Sequence, residues 1–340
     1  MFHFDTDYME GAHPMVMQRL LETNLEQTPG YGTDSYCDEA RQLIRKACGD
    51  DSLDVYFLVG GTQTNATVID ALLSHHEGVV AAASGHINVH ESGAIEASGH
   101  KVLTLPSHNG KVDAQELKQF INDFYADETY EHMVAPGMLY ISYPSEYGTI
   151  YTKAELQQLH AVCQKAHIPM FIDGARLGYG LSSDAADITL PELATLCEVF
   201  YIGGTKVGAL FGECVVAHQG LLHHFTSLVK QHGALLAKGR LLGLQFGTLF
   251  TDNLYFRIAR HAVEQAMRLK AGFVAKGYAP FIDSPTNQQF FTLPNDVMDR
   301  LAQRHTFEVW GRRGETHTTV RFVTSWATKP EDVEALIADL

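Results

Sequence analysis

Two stretches, FIDGARLGYG from Phe171 to Gly180 and VFYIGGTKVGALFG from Val199 to Gly212, decide how this chain is interpreted. Each begins with a short apolar run typical of a buried strand, and each run ends in a glycine-containing turn that carries charge. The first turn carries Asp173 and Arg176, and the second carries Lys206. Ligands of open α/β sheets bind outside the carboxyl ends of the strands. The pattern therefore predicts one ligand site that uses all three side chains.

A lysine, a carboxylate and an arginine at strand ends are the set that pyridoxal phosphate (PLP) chemistry requires. The cofactor forms a Schiff base with a lysine, and a carboxylate keeps its pyridine nitrogen protonated so that the ring accepts electrons. Lys206 lies among small residues that leave its amine free to reach a ring, and Asp173 supplies the carboxylate. A lysine partly removed from water has a lowered pKa and is a better nucleophile. We therefore predict PLP bound covalently as a Schiff base to Lys206.

These residues resemble those of the fold-type I PLP enzymes, and most nearly those of the low-specificity L-threonine aldolases and phenylserine aldolases of the β-eliminating lyase family. The resemblance runs from about Asp7 to about Trp326. It implies an α/β fold like that of aspartate aminotransferase, with a large domain around a mostly parallel seven-stranded sheet and a small α+β C-terminal domain. We expect an N-terminal arm and helix over residues 1–22, the large domain over 23–250 and the small domain over 251–340.

Apolar strand patterns and helix patterns alternate over residues 55–217. Strands separated by helices in this way form a mostly parallel sheet that is covered on both faces. The run Glu213 to Ala217 is expected to form a hairpin with the strand that starts at Val199. From about Leu221 to Lys276 the pattern is helical and long, with a predicted break near Gly239 to Gly247.

The composition excludes several classes of protein. The 340 residues contain 25 basic and 40 acidic side chains, a formal net charge of −15, which argues against a nucleic-acid or membrane-surface binder. No apolar run approaches the ~20 residues of a membrane helix, and the start of the chain, MFHFDTDYMEG, lacks the regions of a signal peptide. The 5 Cys residues are odd in number and include no CxxC pair. The simplest interpretation is that they are free, buried thiols of a protein in a reducing compartment. We expect a cytoplasmic protein.

Further cofactor contacts are expected from two segments that follow predicted strands. Gly61, Thr62 and Gln63 open a helix, where backbone N–H groups and the helix dipole suit an anion. An ordinary strand-to-helix turn has the same pattern. Because Lys206 and Asp173 are also present, we interpret this segment as the phosphate site. The resemblance implies that His86 stacks on the pyridine ring and moves protons. His86 and His90 have metal-ligand spacing, but no third ligand is recognisable, so we predict no metal site.

The resemblance also implies which residues hold the substrate. Thr6, Arg176 and Arg321 are expected beside it, and arginine suits bidentate capture of the α-carboxylate. On the residues alone, Arg176 could instead pair with a nearby acid, and Arg321 could be an edge-strand charge. His132 precedes a strand at a spacing similar to that of a histidine that the aldolases place near the substrate hydroxyl. A solvated loop histidine has the same pattern.

The loop from Tyr143 to Thr149, with the sequence YPSEYGT, follows the strand before the one that ends at Asp173. Many threonine aldolases carry a Glu-Asn-Thr-His type of sequence there. The departure resembles a subgroup that includes the phenylserine aldolases, and it leaves open how the β-hydroxyl and the substrate side chain are recognised.

Three residues match positions that the family places at a neighbouring subunit's site. Tyr31 is expected at the partner's substrate, and Lys230 and Lys238 are expected near the partner's cofactor phosphate. Isolated lysines are more often solvated charges. If the match holds, the protein is a homodimer or homotetramer whose active sites are shared between subunits.

The resemblance implies an enzyme that cleaves β-hydroxy-α-amino acids, with L-threonine, L-allo-threonine and phenylserine as candidates, to glycine and an aldehyde. The substrate amine would displace Lys206, Arg321 would hold the carboxylate, and His132, His86 or a bound water would take the β-hydroxyl proton. Two alternatives stay open: another PLP reaction, β-elimination or transamination, and a non-enzymatic protein that retains the fold. A binding protein needs no Schiff-base lysine, so the presence of Asp173 with Lys206 argues against the second.

Overall fold

The structure, a computed structural model, describes every residue from Met1 to Leu340. Thirteen strands form three sheets: β1 (Phe2–His3), β2 (Asp54–Leu58), β3 (Glu77–Ala82), β4 (Lys101–Leu105), β5 (Ala135–Ser142), β6 (Met170–Asp173), β7 (Val199–Gly203), β8 (Glu213–Ala217), β9 (Pro280–Ile282), β10 (Gln288–Pro294), β11 (His305–Thr306), β12 (Glu308–Val309) and β13 (His317–Val323).

Fourteen α-helices cover these sheets: α1 (Pro14–Glu22), α2 (Ser35–Cys48), α3 (Gly61–Leu72), α4 (His86–Val89), α5 (Ala94–Ala97), α6 (Ala114–Ala126), α7 (Lys153–Ala166), α8 (Leu177–Leu181), α9 (Leu190–Ala194), α10 (Phe225–Gln231), α11 (Arg240–Phe250), α12 (Leu254–Ala275), α13 (Asn295–Leu301) and α14 (Pro330–Asp339). None of them combines the length and the apolar composition needed to cross a bilayer.

The large sheet has seven strands in the order β2-β8-β7-β6-β5-β3-β4. Only β8 runs against its neighbours, and the remaining pairs are parallel. This arrangement confirms the predicted mostly parallel seven-stranded sheet and the hairpin of β7 with β8. The parallel strands end at one edge of the sheet, where the turns after β6 and β7 meet.

The central strands β6 and β7 are buried along their whole length, because helices cover both faces of the sheet. Side chains alternate between the faces: Phe171 and Tyr201 pack in one apolar cluster, and Ile172 and Phe200 pack in the other. The alternation explains why both strands read as continuous apolar runs. It also puts Asp173, two residues after Phe171, on the face that carries Tyr201.

The C-terminal part of the chain forms a separate antiparallel sheet in the order β12-β13-β10-β9. Its core includes Phe273 and Phe322, and the N-terminal arm adds Phe4 to the same cluster. The arm is held there because β1 pairs in parallel with β11. The residues that follow β1 reach the carboxyl edge of the large sheet, where Asp7 pairs with Arg176.

The predicted helix break near Gly239 to Gly247 is correct only at its first residue. The helical region is interrupted between α10 and α11, up to Gly239, and again at a 3-10 turn over Thr251–Asn253, whereas α11 runs without a break through Gly243 and Gly247. A Cβ on Gly243 would lie 2.5 Å from the backbone nitrogen of Cys37 in α2. The glycine is thus required for the close crossing of two helices, and it does not end one.

Candidate active site

A cavity of about 310 Å³ opens at the carboxyl ends of β5, β6 and β7. We call it the inner cavity, and its lining includes Gly61, Asn65, His86, Asp173, Lys206 and Glu213. A second cavity of about 250 Å³, the outer cavity, adds His90, Glu308, Trp310 and Arg321. Tyr8, His86, Glu146, Arg176 and Lys206 line both cavities. The two spaces are therefore neighbouring parts of one site.

Asp173 ends β6 and is buried on the floor of the inner cavity. The hydroxyls of Tyr140 and Tyr201 each donate to it at 2.5 Å, Asn65 Nδ2 donates at 3.0 Å and the backbone N–H of Ala175 at 2.9 Å. Burial on its own would raise the pKa of Asp173. The nearby His86 and the hydrogen bonds outweigh burial, and the pKa lies below its ordinary value. Asp173 is therefore a buried anion.

Glycine is needed directly after this carboxylate. A Cβ on Gly174 would lie 1.9 Å from the carbonyl oxygen of Tyr201 in the neighbouring strand. The turns after β6 and β7 can approach so closely only without a side chain at this position. The close approach brings the Asp173 and Lys206 turns to one cavity.

Lys206 follows β7 and is held between acids and an arginine. Burial and the positive charge of Arg176 lower the pKa of Lys206, although Asp7, Asp173 and Glu213 favour its charged form. Glu213 opens β8 directly opposite Gly203 in the hairpin register, and burial raises its pKa to about 8. The amine of Lys206 therefore loses its proton more readily than a solvated lysine, as a nucleophile must.

Helix α3 begins at the wall of the inner cavity. Its N-terminal residue Gly61 follows Gly60, and no side chain caps the helix start. The first backbone N–H groups of a helix have no partner inside the helix. Gly60, Gly61 and Thr62 line the cavity, so uncapped donors and the positive end of the helix dipole lie beside it.

These features fit the predicted cofactor. A phosphate suits the uncapped start of α3, a protonated pyridine nitrogen suits the buried anion Asp173, and an aldehyde suits the desolvated amine of Lys206. The inner cavity has the room and the chemistry for PLP, with the three contacts arranged around one space.

His86 is held at the entrance to the inner cavity by a buried acid. Its Nδ1 lies 2.7 Å from Glu91 Oε1. Asn65 Nδ2 donates to the same Glu91 oxygen at 2.7 Å and also reaches Asp173. This series of hydrogen bonds, from His86 through Glu91 and Asn65 to Asp173, fixes the position of the imidazole relative to the buried Asp173 carboxylate. Asn65, which is buried in the first turns of α3, was not among the predicted site residues.

Arg176 does pair with a nearby acid, one of the two interpretations that the residues alone allowed. Its Nε and Nη2 donate to the two oxygens of Asp7 at 2.7 and 2.9 Å; the Asp7 side chain is buried, and the Arg176 side chain is 12% exposed. Asn287 also donates to Asp7, at 2.9 Å. This pair leaves Nη1 of Arg176 free of partners in the chain, and Arg176 still lines both cavities.

Arg321 projects from β13 into the outer cavity. Its Nη1 donates to Gln288 Oε1 at 2.8 Å, its Nη2 forms an ion pair with Glu308, and its guanidinium lies 5.2 Å from the centre of the Trp310 ring. The Nε atom is buried without a partner. An incoming carboxylate would therefore meet a fixed arginine and compete with Glu308 for it.

Six residues that were predicted at this chain's or a partner's site lie outside both cavities: Thr6, Tyr31, Gln63, His132, Lys230 and Lys238. Gln63 donates to the carbonyl of His232 instead. Thr6 is half-buried, and Tyr31 and Lys238 are exposed. The Lys230 amine lies 4.7 Å from the centre of the Tyr31 ring. Partner-subunit roles for Tyr31, Lys230 and Lys238 stay predictions. His132 is exposed in a 3-10 turn before β5, at the opposite edge of the sheet.

The distance explains the misplacement of His132. The site lies at the end of β5, and eight residues of strand at roughly 3.3 Å each separate it from the turn that carries His132 by about 25 Å. The spacing in the sequence is similar to that of the aldolases, but the strand lies between His132 and the site. We therefore leave His132 out of the site.

Several site residues were missed from the sequence. Tyr140 and Tyr201 did carry a signal, because a buried tyrosine hydroxyl needs a partner and both lie in apolar strands. Glu213 is an acid that opens an apolar strand, an equally visible anomaly, whereas Glu146 lies in a loop and had no such signal. Asp7 had no local signal, because its partner is 169 residues away.

Comparison with known proteins gives a consistent result. Residues 3–294 match the model of the family described as beta-eliminating lyase. The chain is 26% identical to a low specificity L-threonine aldolase of Pseudomonas aeruginosa, over 99% of this chain and 96% of the relative. A structure of Leishmania major threonine aldolase is 39% identical, with a TM-score of 0.96 and coverage of 99% of this chain and 98% of that one.

A more distant likeness concerns the fold alone. An aspartate aminotransferase double mutant of Thermus thermophilus superposes with a TM-score of 0.72 at 13% identity, over 100% of this chain and 90% of the other. Together with the seven-stranded sheet and the separate C-terminal sheet, this likeness confirms the predicted aspartate-aminotransferase-like fold.

Proposed function

The chain belongs to the beta-eliminating lyase family, and we propose that it is a PLP-dependent aldolase that cleaves β-hydroxy-α-amino acids to glycine and an aldehyde. L-Threonine and L-allo-threonine are the proposed substrates. The observation that carries the proposal is that Lys206 and the buried Asp173 line one cavity, next to an arginine-lined cavity that suits an amino-acid carboxylate.

When bound, PLP supplies an aldehyde that an amine can join and a ring that withdraws electrons from the amino acid's α-carbon. Asp173 would keep the pyridine nitrogen protonated, because its own pKa is lowered by the nearby His86 and by the hydrogen bonds to it. Lys206 is the amine that would hold the cofactor in the inner cavity. The backbone N–H groups at the start of α3 would hold the phosphate.

Arg321 binds the substrate's α-carboxylate from the outer cavity, with the free Nη1 of Arg176 beside it. This clamp aligns the Cα–Cβ bond relative to the cofactor, an orientation effect that contributes much of the catalysis in reactions of this kind. The rings of Tyr8, His90 and Trp310 line the outer cavity together with Arg321. That aromatic lining supports phenylserine as a further substrate.

Product analysis by NMR tests the proposal. The PLP-loaded protein is incubated separately with L-threonine, L-allo-threonine and L-phenylserine. Glycine with the matching aldehyde is the expected result. Ammonia with a keto acid would reassign the reaction to β-elimination, and an amino-group exchange with a keto acid would reassign it to transamination. A protein without bound yellow cofactor would overturn the enzyme assignment itself.

Replacing Arg321 by alanine is expected to raise KM by about 10- to 100-fold with a smaller change in kcat, because a hydrogen bond to a charged group contributes about 1.5–3 kcal/mol. Steady-state cleavage of L-threonine measures both constants. Arg312→Ala, which removes an exposed arginine, is the matched control. An unchanged KM for Arg321→Ala would remove the carboxylate role.

Replacing His132 by alanine is expected to leave kcat and KM unchanged, because the side chain is exposed at the far edge of the sheet. The same assay on His86→Ala is expected to show a clear loss, since that ring lines both cavities. A large fall in kcat for His132→Ala would mean that His132 does reach the site, although it lies in the turn before β5.

A homodimer or homotetramer with shared sites remains our proposal for the assembly, on the resemblance at Tyr31, Lys230 and Lys238. All five cysteines are free and buried, which supports a reducing, cytoplasmic location.

A further inference from the structure

Glu146 occupies an unusual position in the site. It lies in the loop after β5 and is 9% exposed, yet it lines both the inner and the outer cavity. The side chain is thus placed where the cofactor cavity meets the substrate cavity. Neither the phosphate contacts nor the carboxylate clamp uses it.

The two oxygens of Glu146 have different surroundings. Oε1 accepts from the hydroxyl of Ser142 at 2.6 Å and from the backbone N–H of His86 at 2.9 Å. Oε2 has no hydrogen-bond partner in the chain, and it is not among the fully buried polar atoms. One oxygen therefore fixes the carboxyl group, and the other is open to the cavity.

Such an arrangement suits an acid–base group. The donors to Oε1 come from a strand end and from a helix start, so they hold the group without using the oxygen that would exchange a proton. Burial raises the pKa of Glu146 above its ordinary value, which makes its carboxylate a stronger base.

The other acidic side chains near the two cavities already have hydrogen-bond or ion-pair partners in the chain. Asp173 receives four donors, and Glu308 pairs with Arg321. Glu213 accepts from the backbone N–H of Gly204 on the cofactor side. Glu91 holds His86 and lines neither cavity. Glu146 is left as the carboxyl group with an oxygen open to the space between cofactor and substrate.

We propose that Glu146 Oε2 takes the proton of the substrate's β-hydroxyl as the Cα–Cβ bond breaks. This inference rests on the proposed aldol cleavage and deepens it. The O–H bond breaks, the oxygen forms the aldehyde carbonyl, and the electron pair of the Cα–Cβ bond stays with Cα. Cα then gains one proton to become glycine, and Glu146 passes the proton it took to solvent, so protons and electrons balance.

The decisive variant is Glu146→Gln. Glutamine keeps an oxygen that accepts from Ser142 and His86, but its amide cannot take a proton. Cleavage of L-threonine is expected to fall by about 10²–10⁴-fold, the range for loss of a general base. Exchange of the glycine α-proton in D₂O, which involves no hydroxyl, is expected to stay close to the wild-type rate, as is glycine affinity measured by visible absorbance.

A second variant keeps the test sharp if glutamine perturbs folding. Glu146→Ala is expected to lose cleavage and to regain it with increasing formate, a small carboxylate that fits the vacated space, while glycine exchange does not respond to formate. Glu131→Gln, which neutralises an exposed acid, is the matched control and should change neither rate.

Three outcomes would overturn the proposal. Unchanged cleavage by Glu146→Gln beside an active wild type would overturn this assignment alone. An equal loss of glycine exchange and cleavage would make Glu146 a residue that positions the cofactor, contrary to the proposal. Absence of aldehyde from the wild-type protein would overturn the proposed function and, with it, this assignment.

Discussion

Replacing Lys206 by alanine is expected to remove the covalently held cofactor and to lower the cleavage rate by at least about 10⁴-fold, the scale seen when a residue essential to the chemistry is lost. Lys206 is the amine in the inner cavity. Its pKa is lowered by burial and by Arg176, so at neutral pH it is a better nucleophile than a solvated lysine. No other lysine lines either cavity.

The covalent link itself can be measured. Reduction of the holoenzyme with borohydride, followed by proteolysis and mass spectrometry, should place the pyridoxyl group on the peptide that contains Lys206. Lys118→Ala, which removes an exposed lysine of α6, should retain both the modified peptide and the activity. A modified peptide that contains any other lysine would refute the assignment.

Replacing Asp173 by asparagine is expected to lower kcat by at least about 10²-fold, comparable to the loss of a preorganised electrostatic contact in other active sites. The carboxylate is buried and anionic, and an amide in its place cannot keep a pyridine nitrogen protonated. The cofactor should remain bound, because Lys206 and the start of α3 are unchanged.

The same substitution also has a structural effect. Tyr140 and Tyr201 both donate to Asp173, and an amide presents one N–H₂ group where a carboxylate presents an acceptor. One buried tyrosine hydroxyl is left without an acceptor, at a cost of about 1–3 kcal/mol in the free energy of unfolding. Denaturant unfolding of the cofactor-free protein measures it.

Measuring both kcat and the free energy of unfolding separates the electronic effect of Asp173→Asn from its structural effect, and an exposed aspartate provides the control. Asp51→Asn changes an exposed aspartate without a side-chain partner and should alter neither kcat nor unfolding. Asp173→Asn with full activity would exclude the electronic role. Lost activity with full stability would instead show that the tyrosine hydroxyls find other partners.

The sequence was a good guide wherever the signal is local. Continuous apolar runs such as Phe171 to Asp173 identify buried strands, because the side chains on both faces must be apolar. A charged residue directly after such a run lies at the sheet edge where ligands bind. Asp173 and Lys206 could be found in this way, and the structure places both in one cavity.

The sequence was a poor guide wherever the partner is distant or the signal has two meanings. The spacing of His132 resembles that of a site residue, but strand β5 carries the chain across the sheet between His132 and the cavity. Gly243 resembles a helix breaker, whereas it permits α11 to pack against α2. For His132 the path of the strand decided between the two interpretations, and for Gly243 the contact between two helices did.

By itself, then, the sequence determined the order of strands and helices and the identity of the lysine and carboxylate, because burial patterns and strand-end turns are local properties of the chain. Only the tertiary structure decided which partners these groups have. Asp7 reaches Arg176 across 169 residues of sequence, and Glu146 is held by Ser142 and His86 with one oxygen open to the cavity. Hydrogen bonds form over about 3 Å, and neither residue spacing nor composition specifies a distance of that size between remote parts of the chain.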